Sequence, residues 1–165
     1  MSSTLEQTPE GKIQYDARWQ RIMDCVALRQ PDRMPVAMFG FFWFAKYGNI
    51  SCKDLMYDYD KNKKACEDAV LEFEPDAVGP LVIITAAGRS MEALDYKQLR
   101  WPGHDLADDQ GFQYLDREYM SADEYDEFIF DPTGFYLKKY LPRVAGVFSG
   151  FDQLPSFPGL HYFRL

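Results

Sequence analysis

"AVGPLVIITAAGRS", Ala77 to Ser90, is the stretch on which the fold turns. Leu81 to Ile84 are apolar and largely β-branched, without alternation, the pattern of a parallel strand covered on both faces. The strand opens into the small-residue loop "TAAGRS", and in α/β folds ligands bind at that end of a strand. Gly88, Arg89 and Ser90 are therefore candidate ligand-binding residues. Backbone N–H groups at a helix start, with a guanidinium beside them, can hold a carboxylate or phosphate. The alternative is a plain turn carrying a surface arginine.

Upstream, "RMPVAMFGFF" gives a first short strand opened by Pro35, and "FFWFAKYGN" follows as an aromatic helix ended by Gly48. Ser51 and Asp54 have capping-box spacing, and a further helix from about Lys61 presents Cys66, Ala69, Val70 and Phe73 on one face. Before these, Trp19, Ile22, Met23, Val26 and Ala27 recur at helical spacing behind Asp16 as cap, with an end near Arg29 because Pro31 disfavours helical Gln30. Residues 1–15 are expected to form a loose polar arm, and 16–165 the domain.

Downstream, Leu99, Trp101, Phe112 and Tyr114 lie between turn signals and predict two short extended pieces. Ser121 with Glu124 forms a capping box whose helix should bury Tyr125, Phe128 and Ile129. Asp131-Pro132 starts another helix, expected to stop at Pro142. The tail after Val147 has no clear period.

The 165 residues suffice for one domain with a real core. A net charge of -8, spread along the chain, makes nucleic acid and anionic membrane poor partners. No apolar run reaches the ~20 residues of a membrane span. Three cysteines, an odd number without CxxC spacing, and the absence of a signal-peptide core read as a reduced, cytoplasmic protein.

Taken together, "ALRQPDRMPV", "YGN", a helix pair, "PDAVGPLVII", "WPG" and "MSADEYDEFIFDP" come in an order that resembles the N-terminal part of the uroporphyrinogen decarboxylase superfamily. The branch it is most similar to is that of corrinoid-linked methyltransferases and O-demethylases. The resemblance covers Asp16 to about Leu154. It implies an α/β fold that is the N-terminal portion of a (β/α)8 TIM-type barrel, incomplete because a full barrel takes about 250 residues.

The resemblance also implies zinc and a corrinoid for the complete protein, with a corrinoid protein or a small methylated substrate as partner. The family's zinc ligands fall beyond Leu165, so no metal ligand is assigned. True decarboxylases carry an arginine-rich loop where this chain reads "MFGFFWF", and an Asp where it has Ile83. Decarboxylation of a tetrapyrrole is therefore disfavoured. A non-catalytic half-barrel binding module is the third reading.

Phe41 and Trp43, within the cluster of Phe39, Phe42, Phe44 and Tyr47, are the candidates for an apolar ligand wall; core packing and a capping helix under the barrel mouth explain the cluster equally well. Exposed rings there would also favour self-association. His104 with Asp105, Asp108 and Asp109 reads as a solvated turn, because no second His or Cys stands nearby to complete a zinc set. His161 lies in the tail. Cys25 and Cys66 read as packing residues. Cys52, at a helix start, could have a lowered pKa but lacks a visible base. "DEYDEF" reads as a capped helix start with an outward acidic face.

Overall fold

The computed structural model describes residues 8–79 and 86–154. It is a mixed α/β structure rich in helix, with few and short strands. No closed barrel of strands is seen among the described residues. The apolar run at Leu81 to Ile84 and His161 lie outside them.

Helix α1 spans Pro9–Val26. Thr8 caps it by accepting a hydrogen bond from the Gly11 N–H, and Pro9 occupies its first turn. The expected start at Asp16 is therefore corrected: Asp16 sits within the helix, paired with Lys12, and residues 9–15 of the expected arm are helical. The helix also ends before Arg29, with Leu28 in the left-handed region at φ 57°. Trp19, Met23 and Val26 remain exposed, while Ile22 of the same stripe is half-buried.

Strand β1, Ala37–Met38, pairs in parallel with β2, Ala77–Val78, in the register Ala37 to Ala77. Three helices make the crossover: α2 Trp43–Tyr47, α3 Cys52–Tyr57 and α4 Tyr59–Phe73. The capping box forms as expected, with the Ser51 hydroxyl accepting from the Asp54 N–H and the Asp54 carboxylate accepting from the Ser51 N–H. Helices α2 and α4 meet closely at Gly48, where an added Cβ would lie 2.7 Å from that of Ala65.

The core forms in two parts. Phe44, Ala45, Cys52, Leu55, Cys66 and Ala69 pack between the crossover helices. Met56, Leu99 and Trp101 form the second part, and Phe42 packs against both. Within the first, the Asn62 amide donates to the Leu55 carbonyl at 2.7 Å. That bond compensates the burial of a polar side chain.

Helix α5, Gly88–Leu94, precedes the two extended pieces, β3 Leu99–Arg100 and β4 Gln113–Tyr114, which pair antiparallel. A 3₁₀ turn, Ala122–Glu124, leads into α6, Tyr125–Phe130, and then α7, Pro132–Phe135. Tyr125, Phe128 and Ile129 are exposed, against expectation. The helix does not stop at Pro142 either. A π turn over Tyr136–Tyr140 precedes α8, Leu141–Val144, and its widened geometry accommodates a residue without an N–H. A 3₁₀ segment, Gly146–Gln153, closes the described chain, tied back by Gly146 N–H to Asp95 carbonyl at 2.9 Å.

Candidate functional site

The parallel pair has two chemically different ends. At the N-terminal end each strand follows a Pro-Asp dipeptide, Pro31-Asp32 and Pro75-Asp76. Arg21, reaching across from α1, donates to both carboxylates, with Nε to Asp32 at 2.6 Å and Nη1 to Asp76. Arg33 donates to Asp76 as well, and so does the Val36 N–H. Burial would raise the Asp76 pKa, but the Val36 N–H and the two guanidinium groups outweigh it and hold the carboxyl below its usual range. The two arginines are thus committed to fixing the strand starts.

At the C-terminal end of β1 the surface is aromatic. Phe39 meets Phe41 edge to face at 4.8 Å, Phe41 meets Phe112 at 6.0 Å, and Phe112 meets Tyr114 at 5.7 Å. Trp43 stacks on Tyr47 at 5.1 Å and meets Phe73 at 5.7 Å. Phe41 and Trp43 are both exposed. Beside β1 runs a groove of about 600 Å³ lined by Val36, Ala37, Met38, Phe39, Gly40, Trp43, Phe73 and Pro75, none of them charged. Phe112 and Tyr114, from the antiparallel hairpin, and Phe73, from the end of α4, extend the cluster beyond the sequence-derived set. Their spacing two residues apart, between turn signals, is the local signal for the first two.

Gly88, Arg89 and Ser90 open α5, a helix of seven residues. Gly88 is buried because Tyr57 lies against it: an added Cβ would stand 2.8 Å from that ring. Packing therefore accounts for the glycine. Arg89 and Ser90 are exposed, and the cleft beside Arg89 is lined by Asp58 and Asp60 together with Tyr57 and Tyr59. Two carboxylates so placed work against an anion there. Arg89 lines one cleft and Trp43 another.

The His104 segment folds as the turn expected of it. The imidazole stacks on Trp101 at 4.4 Å, and Nδ1 lies 3.7 Å from the Asp105 carboxylate. Asp105 also accepts from the Trp101 N–H at 2.9 Å. Asp108 pairs with Lys53, while the Asp109 carbonyl accepts from the Cys52 thiol at 3.3 Å. Burial and the Asp109 carboxylate push the Cys52 thiol pKa up, which corrects the idea of a helix-start thiolate. Cys66 donates to Asn62 at 3.4 Å within the core.

Among the described residues no group of three or more His, Cys, Asp or Glu side chains is placed to hold a metal ion. The zinc implied by the resemblance has no fitting ligand set here. Among the described residues no helix is long and apolar enough to cross a membrane.

The "DEYDEF" segment differs from its expected outward face at one residue. Glu124 turns inward, accepting from Arg143 at 2.6 and 2.8 Å and from Lys139 at 3.4 Å. Arg143 above all holds its carboxyl far below the ordinary range. The cluster ties the 3₁₀ turn before α6 to α8 and is closed by its own cations.

No protein-family model, curated protein or solved structure matches this chain.

Proposed function

We propose that this chain is the N-terminal portion of a (β/α)8 barrel similar to those of the uroporphyrinogen decarboxylase superfamily. In the complete protein it would take part in methyl transfer between a small methylated substrate and a corrinoid. The observation that supports this reading is the contrast between the ends of the β1–β2 pair. The arginines at the N-terminal end are spent on Asp76, and the C-terminal end carries aromatic rings. An apolar wall suits a methoxylated arene or the flat face of a corrin, whereas a polycarboxylate needs cations at that position. Bound corrinoid would supply the cobalt that accepts or gives the methyl group. Phe39, Phe41 and Trp43 would bind and orient the flat ligand and exclude water.

Zinc and the groups that would hold it are assigned to the part of the barrel beyond this chain, so the chain alone is expected to bind but not to turn over. The test is tryptophan fluorescence with a methoxylated benzoate as ligand, run beside an assay for methylation of cob(I)alamin. Saturable quenching that F41A and W43F abolish, without turnover, is the expected result. Porphyrinogen decarboxylation by this chain would favour the decarboxylase reading. Absence of ligand binding would leave the non-catalytic module.

A further inference from the structure

Among the described residues β1 pairs only with β2, which leaves its other edge open. In a parallel ladder, alternate residues direct their backbone groups to the same neighbour. The Val36 carbonyl accepts from the Ala77 N–H at 3.2 Å and the Met38 carbonyl from the Gly79 N–H at 3.0 Å, so residues 36 and 38 serve β2. By the same alternation the N–H and C=O groups of Ala37 and Phe39 point away from β2, and both residues also line the uncharged groove described above. An edge that offers both unpaired backbone groups and apolar side chains is a template for another strand.

We propose that this edge is the contact between two copies of the chain, with β1 pairing antiparallel to β1 of the second copy across a two-fold axis. An isologous contact needs only a surface complementary to itself, which an uncharged groove with alternating backbone donors and acceptors is. Each copy carries a net charge of -8, and the groove lining places none of it in the contact. Phe39, Phe41, Trp43 and Phe73 are 59%, 38%, 45% and 52% exposed. At about 150–250 Å² per ring these leave roughly 300–500 Å² of aromatic surface uncovered. A standard interface takes about 800 Å² from each partner. Met34 and Val36, exposed at the start of the strand, carry the patch towards that size. The same rings form the ligand wall proposed above, so this contact and a bound flat ligand exclude each other at this surface, and the contact is argued from the strand edge alone.

Sedimentation velocity over a concentration series tests it, on the full chain and on two variants. Ala37→Pro removes the outward N–H without touching a bond to β2, and Val36→Lys sets a charge in the groove. The expected result is a monomer–dimer equilibrium whose dissociation constant each variant weakens by about tenfold or more. Val78→Lys, on the opposite edge of the sheet, should leave it unchanged. Hydrogen exchange on the unmodified chain gives a second reading independent of any variant: protection over residues 36–39 should rise with concentration. A monomer at every concentration would overturn the proposal, as would a dimer that both variants leave intact or exchange over 36–39 that ignores concentration.

Discussion

Arg33 holds Asp76 with both terminal nitrogens, Nη1 at 2.7 Å and Nη2 at 2.8 Å, across 43 residues of sequence. The Asp76 side chain is fully buried, and it also receives Arg21 and the Val36 N–H, so one carboxylate joins α1 and the starts of both parallel strands. Removing it leaves Arg33 without its anion and Arg21 with Asp32 alone. Asp76→Ala should cost about 3 kcal/mol, the lower end for breaking a buried pair, since Arg33 is half exposed. Urea unfolding checks this, and the loss should exceed that of Asp108→Ala, whose pairing with Lys53 is exposed.

Acid should weaken the fold through the same group and its neighbours. Asp32, held by Arg21, lies at about 2 against an ordinary 3.8, and Asp76 and Glu124 are also lowered. A carboxyl depressed in the folded state stabilises above its unfolded value, and the contribution fades as pH falls through the folded one. Stability should therefore hold near neutrality and decline from about pH 4 towards 2. Thermal melts across that range, repeated with Asp76→Asn and with Arg143→Gln, should show a shallower decline in each variant.

Tyr57 accepts a hydrogen bond from Trp101 Nε1 at 2.9 Å and donates to Glu92 at 2.6 Å. Trp101 is buried, so Tyr57→Phe leaves its indole N–H without an acceptor. A loss of about 1–3 kcal/mol in chemical unfolding is expected.

Gly88→Ala separates packing from ligand binding at the start of α5. The new methyl would press on the Tyr57 ring, and overpacking of this kind costs about 1–3 kcal/mol. Phosphate titration followed by calorimetry should show no saturable binding in either protein. A stable variant that loses a measurable phosphate affinity would restore the anion-site reading of Gly88, Arg89 and Ser90.

His104→Ala should leave metal content unaltered and cost no more than about 1 kcal/mol, the scale of one exposed ring stack on Trp101. Elemental analysis after incubation with zinc, alongside a thermal melt, checks both parts.

The local devices were legible because each is written within four residues. The Ser51 and Ser121 boxes and the Asp131-Pro132 start all formed as their spacing requires. Thr8-Pro9 is an equally good start signal, but the polar composition around it points to an arm, and the composition misled. What spacing could not show is contact between distant segments. Nothing near Asp76 in the sequence announces Arg21, and nothing in "DEYDEF" announces Arg143. Helical periodicity located the apolar stripes of α1 and α6 without telling what covers them, and Trp19, Val26 and Ile129 stand exposed. The aromatic cluster was half legible: "MFGFFWF" is contiguous, whereas Phe73 and Phe112 join it only through the fold.

The most direct test of the central claim is calorimetric titration of the chain with hydroxocobalamin and, separately, with a uroporphyrin bearing eight carboxylates. Binding of the corrinoid that F41A weakens about tenfold, that R89A leaves alone and that the porphyrin does not match is the predicted result. Tighter binding of the porphyrin, dependent on Arg89 and indifferent to Phe41, would contradict it.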